Sequence, residues 1–264
     1  MHFNFDFTLV QVLWTLTFAA LLVLLVVLLG RDRVSRFPWF TTSITLVAVR
    51  MLIGRLLFHR LAQVVAGEIF LPLAALAAIV SLLVAVEIAR SAFAGAGRRA
   101  WLVATVVLLA AAGLTVALWG PWPPFKTLFA ASTIAVLRTT ELVAQKVDLL
   151  ASLLTVEVGL LVAIFGRRFK AGWHSHTQQI SIGLAMVSLT QLTIRACVQH
   201  VAMHTEIHNQ TEYKRVVDLV TSLNNANSVV FLSALLWWIA CLWINEPGTE
   251  NPATGNETQE PVSN

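Results

Sequence analysis

The sequence predicts an all-α fold: a polytopic seven-transmembrane-helix bundle with its N-terminus outside and its C-terminus cytoplasmic. Three observations lead there. Of the 264 residues, 57% are apolar and 12% charged, whereas soluble domains carry roughly 25% charged residues. Mean hydropathy is +0.75, a composition that would leave a soluble protein with large adhesive patches. Finally, seven apolar runs each approach the length of about 20 residues that a bilayer core requires. The net charge of +4 is carried by short basic clusters between those runs. That is how membrane orientation is encoded, so the expected partner is the lipid bilayer and not nucleic acid.

The first run, 8–29, has no Lys or Arg ahead of it and no small-residue cleavage pattern behind it. It therefore reads as a span and not as a removable signal. The second, 38–58, opens on Pro38 and carries Arg50 and Arg55. The third, 70–93, ends near Glu87 and Arg90, spaced as an i, i+3 pair. The fourth, 101–119, runs into Gly120-Pro121-Trp122-Pro123-Pro124-Phe125, where the prolines forbid helix continuation and demand a turn. From Lys126 the pattern stays helical to Phe165, too long for one span. Residues 126–143 are expected as an outer amphipathic segment and 144–165 as the fifth span. The sixth and seventh are 179–202 and 219–244. Residues 246–264 are rich in Pro, Gly, Asn and Glu, the composition of a disordered cytoplasmic tail.

Short loops give the orientation. Arg31, Arg33, Arg36, Arg90, Arg98, Arg99, Arg167, Arg168 and Lys170 fall on one side. The other side holds Arg60, Lys126, Lys214 and Arg215, with Arg138 and Lys146 at most. The excess marks the cytoplasmic face. Trp39, Trp101 and Trp243 fall near the inner boundary and Trp119 and Trp122 near the outer one, as interfacial belts do. Cys197 and Cys241 sit near opposite ends of their spans, too far apart for a disulfide.

Polar residues recur in stripes. Arg138, Glu141, Gln145, Asp148, Ser152 and Thr155 are three or four apart, hence on one helix face. Ser188, Gln191, Arg195 and Gln199 repeat the device in the sixth span, and Asp218, Thr221, Asn225 and Ser228 in the seventh. Charge facing lipid is costly, so the stripes are expected to face each other. The result is an outward-facing polar cavity between spans two, five, six and seven. Its candidate ligand- or ion-binding residues are Arg50, Asp148, Glu157, Gln191, Arg195 and Asn225. Counting depth at ~1.5 Å per residue pairs Arg195 with Asp148, Asp218 being second choice. The same count pairs Arg50 with Glu157 or with an amide of the last two spans, while Arg55 lies near enough to the boundary to snorkel. Asn224, Asn225 and Asn227 are too close together to share one direction. Such groups either fasten helices or line a pathway.

His200, His204 and His208 are spaced four apart. Two neighbours, His200 and His204, are close enough to grip one metal ion, with His59 or Glu212 as the third ligand. His204-Thr205-Glu206-Ile207-His208 departs from the metalloprotease helix because its Glu is displaced by one position. No Gly-x-Ser-x-Gly elbow or phosphate-gripping loop occurs, and the seventh span has no lysine for a retinal Schiff base. No cofactor is expected.

Phe37-Pro38-Trp39-Phe40, Glu87, and Arg167-Arg168 leading through Gly172 to Ser181-Ile182-Gly183-Leu184 resemble features of an uncharacterised family of bacterial seven-helix integral membrane proteins. The likeness runs over roughly residues 20–245 and implies the topology alone. The chain is also similar to the seven-helix input modules that precede bacterial histidine kinases, with a short tail in place of an output domain. These readings converge on a non-enzymatic, sensor-like or accessory subunit of a bacterial inner membrane, working through a signalling or membrane protein partner. The alternative is a secondary transporter or proton pathway using the intramembrane charges. Against that stands the absence of an internal repeat of the kind many transporters carry.

Overall fold

The computed structural model describes residues 8–57, 63–92, 98–120, 122, 133–165, 175–204 and 209–244. Among them are seven helices and no strand: α1 (Leu9–Gly30), α2 (Pro38–Leu57), α3 (Gln63–Ala92), α4 (Arg98–Leu118), α5 (Thr133–Phe165), α6 (His176–His204) and α7 (Gln210–Trp243). Six are long and apolar enough to cross a membrane; α4 carries a shorter apolar stretch, Leu102–Leu118. The expected tail, the basic residues at 167–170 and the prolines at 121, 123 and 124 lie outside the described residues.

Six helices close into a ring in the order α1, α2, α3, α5, α6, α7, each packed on the next, with α7 returning to α1. A weaker contact joins α3 to α6 across the ring. α4 stands outside it and packs its backbone against α5 alone.

The elements follow from their ends. Thr8 caps α1: its hydroxyl accepts from the Gln11 N–H while the Gln11 side chain accepts from the Thr8 N–H. This reciprocal pair gives the Thr8 N–H an acceptor and the Gln11 N–H a second one beside the Thr8 carbonyl. Pro38 occupies the first turn of α2, where its missing N–H costs nothing. The next N–H groups, of Trp39 and Phe40, donate to the Glu87 carboxylate of α3 at 3.1 and 2.9 Å. Glu87, expected to pair with Arg90, instead caps a neighbouring helix at its electropositive end. Asn209 caps α7, accepting from the Glu212 N–H at 2.9 Å.

Three helices begin well before their expected starts: α3 at Gln63 and not at 70, and α5 and α7 by more. α5 runs unbroken from Thr133, so residues 133–143 are its first three turns and not a separate segment; 126–132 lie outside the described residues. α7 starts at Gln210, which brings Lys214, Arg215 and Asp218 into the helix. Polar side chains on an exposed helix end do not interrupt backbone hydrogen bonding, which is why both helices outrun their apolar runs.

The bundle has two unlike ends. At the end marked by Arg31, where α1 finishes and α2 begins, the core is packed shut. Phe37, Phe40, Leu21, Leu24, Leu28 and Leu235 are all fully buried there. Phe40 meets Trp238 edge-on, ring centroids 5.2 Å apart and planes at 86°. Trp238 in turn lies against Gly183, where an added Cβ would stand 2.7 Å from its Cε2. Gly159 allows the same closeness between α5 and α6, at Ala185. At the opposite end, marked by Thr8, α6 beyond Val187 and α7 before Ala234 have no fully buried residue.

Candidate functional site

The polar stripe of α5 divides on folding. Ser152 and Thr155 are buried toward the packed end, while Arg138, Glu141 and Gln145 remain exposed. Thr155 returns its hydroxyl to the Ala151 carbonyl at 2.7 Å, and Gln145 donates to Glu141 at 3.3 Å. Between them Asp148 receives the Arg195 guanidinium of α6 in an ion pair. This is the pairing that depth counting favours. Asp218, the second choice, is exposed on α7.

Beside that pair lies a cavity of about 590 Å³. α5 contributes Leu142, Gln145, Lys146 and Leu149; α6 contributes Ile194, Arg195, Val198 and Gln199. Val220 and Asn224 of α7 and Trp119 and Gly120 at the end of α4 complete it. α2 takes no part, contrary to expectation, because it packs between α1 and α3 and does not touch α5. The same separation removes the expected Arg50–Glu157 contact. Arg50 is exposed, and among the described residues it has no ion pair. Glu157 lies on α5 about 13 Å beyond Asp148 at ~1.5 Å per residue, with its Oε2 buried and unpartnered.

Arg55 lies exposed in the last turn of α2. Its guanidinium sits 5.7 Å from the centroid of the Trp14 ring of α1, a cation–π contact that offsets part of its desolvation.

Lys146 is the member of the site that sequence reasoning missed. Its ammonium donates to the carbonyls of Val116 (3.2 Å), Trp119 and Gly120 (3.4 Å) and stands 5.1 Å from the Trp122 ring centroid. Trp122 Nε1 donates to the Ala117 carbonyl at 3.1 Å. The last carbonyls of a helix need donors, and α4 has no basic residue in its own last turn. That lack was the available signal. Gly120, at φ 69°, turns the chain away from the helix there. The clamp holds the end of α4 beside the cavity and keeps a positive charge at its wall.

The three asparagines divide as their spacing requires. Asn224 lines the main cavity. Asn225 and Asn227 line a second space of about 300 Å³ between α1, α2 and α7, together with Thr17 and Met51. Asn225 is therefore not part of the Arg195 site. Gln191, one turn before Arg195, is partly buried and outside the cavity wall.

His200 and His204 are exposed, with ring centroids 4.3 Å apart. His204 Nδ1 lies 2.9 Å from the His200 carbonyl oxygen. Among the described residues no third metal-ligating side chain joins them. Glu212, one proposed third ligand, accepts instead from Asn209 Nδ2 at 3.0 Å. His59 and His208 lie outside the described residues. Cys197 and Cys241 are both free.

Fold and site together define a helical membrane protein with a charged cavity near one end. Comparison with known protein families, with characterised proteins and with solved structures found no match.

Proposed function

We propose that this chain is a non-enzymatic, ligand-binding membrane protein of the sensor-like or accessory kind. In this reading the Thr8 end faces outside and the Arg31 end faces the cytoplasm of a bacterial inner membrane. The basic excess at the Arg31 end supports that orientation. One observation carries the reading: the cavity bounded by Arg195, Lys146, Gln199 and Asn224 lies toward the Thr8 end of a bundle packed shut at the Arg31 end. A site open at one end and closed at the other suits a receptor, and occupancy would be passed on through contact with a partner protein.

Thermal unfolding of the purified protein across a panel of soluble and amphiphilic small molecules tests it. A ligand at a hundred times its Kd adds about 2.7 kcal/mol of stability, so a binder should raise Tm in the wild type and raise it by about half as much in Arg195→Gln. A panel with no stabilising compound, or one whose effect ignores Arg195, contradicts the reading.

Glu157 favours a second reading, passage of protons or a solute past Arg50, Asp148, Glu157 and Arg195. Its buried Oε2 has no partner, and unpaired intramembrane carboxylates are characteristic of proton relays. Proton flux in liposomes that disappears in Glu157→Gln would support it; flux at the level of empty liposomes would dismiss it.

A further inference from the structure

We propose that the occupant of the cavity is a monovalent anionic amphiphile, a carboxylate head on an alkyl chain. This rests on the cavity being a ligand site and goes further by naming the chemistry.

The head is defined by donors without partners. Arg195 uses Nη2 on Asp148; among the described residues its Nε and Nη1 have none. The amide of Gln199, one turn further along α6, and the amide of Asn224 across the gap on α7 are likewise unbonded among the described residues. Three polar heads on two helices thus border one space with donor capacity to give. Guanidinium N–H groups flanked by amides suit a carboxylate, each as a single charge-assisted donor.

Charge sets the valence. The charged side chains of the lining are Lys146 and Arg195, both cationic. Asp148 neutralises Arg195, which leaves the Lys146 charge uncompensated by any acid of the lining. One negative charge balances that site; two would overfill it.

The walls define the tail. Leu142, Leu149, Ile194, Val198 and Val220 are the apolar part of the lining on α5, α6 and α7, with Gln145 the further polar group there. An alkyl chain lies against these walls while its head stays at Arg195.

The experiment uses Val198→Cys on a Cys197→Ala, Cys241→Ala background, in phosphatidylcholine nanodiscs, reading the rate of modification by a charged maleimide. Dodecanoate at ten times its Kd should slow that rate about tenfold, while acetate and dodecanol at equal concentration leave it unchanged. Asn224→Ala, an exposed position whose loss does not threaten folding, and Arg195→Gln should each weaken protection by about tenfold, the effect of one charge-assisted hydrogen bond. A dodecanoate analogue with a mid-chain diazirine should label the apolar lining at Leu142, Leu149 or Ile194. Protection by acetate alone overturns the amphiphile and leaves the ligand reading standing. Equal protection by dodecanol overturns it as unselective partition. Failure of every compound in the panel to protect the thiol introduced at position 198 removes both readings together.

Discussion

Asp148 and Arg195 illustrate how an ion pair survives within candidate membrane spans. Each side chain is a little over one-third exposed, so neither is fully desolvated, and the pair contributes less than a buried one would. Polar contacts between membrane helices average well under 2 kcal/mol. Asp148→Ala should therefore cost about 1 kcal/mol, and Asp148→Arg more, since it sets two guanidinium groups together. Exchanging the two residues should restore yield and Tm toward wild type; a double exchange no better than either single change contradicts the pairing. Lys146→Met removes a cation that serves three carbonyls, a loss of about 2 kcal/mol. It should make Trp119 and Gly120 more susceptible to limited proteolysis, and unchanged cleavage there counts against the clamp. Gly183→Ala drives a methyl into Trp238 and should destabilise by about 1–3 kcal/mol. Because the clash is with the indole edge, Trp238→Phe should relieve much of it in the double variant, measured by thermal unfolding.

At the scale of elements, the joint between α2 and α3 is the clearest case of one helix completing another. The Glu87 carboxylate takes two N–H groups of α2. Glu87→Ala should cost about 1–2 kcal/mol, as loss of a helix cap does, while Glu87→Gln, keeping one acceptor, should retain part of it. Equal losses in the two variants would show that the side chain only packs. Phe37 and Phe40, fully buried, Pro38 starting α2, Glu87 capping it, and Gly183 against Trp238 belong to this region. They hold the closed end together, and none of them lines the main cavity. Existence of the helices was legible because a bilayer requires about 20 apolar residues per span. The starts of α5 and α7 were not, because their first turns are polar and hydropathy falls silent while backbone hydrogen bonding continues. Depth was legible too, since a fixed rise per residue turns sequence position into height. That is why Arg195 found Asp148. Neighbourhood was not: nothing local states that α3 sits beside α5 while α4 stands outside, so Arg50 and Glu157 came within an arginine's reach in height but belong to helices that do not touch.

At the scale of the molecule, the described residues form a six-helix ring, shut at the Arg31 end and loosened at the Thr8 end, with α4 held to its flank by Lys146. That asymmetry places the cavity and supports the proposed receptor-like role. The most direct test is a single-cysteine scan of α6 from Ile180 to Gln199 on the cysteine-free background, labelled with a charged reagent. Positions 195, 198 and 199 should react readily, while 180, 181 and 187, buried at the packed end, stay protected until the protein is unfolded. Protection at 198 and 199, or labelling as fast at 181 as at 199, would mean that no such cavity exists in the membrane.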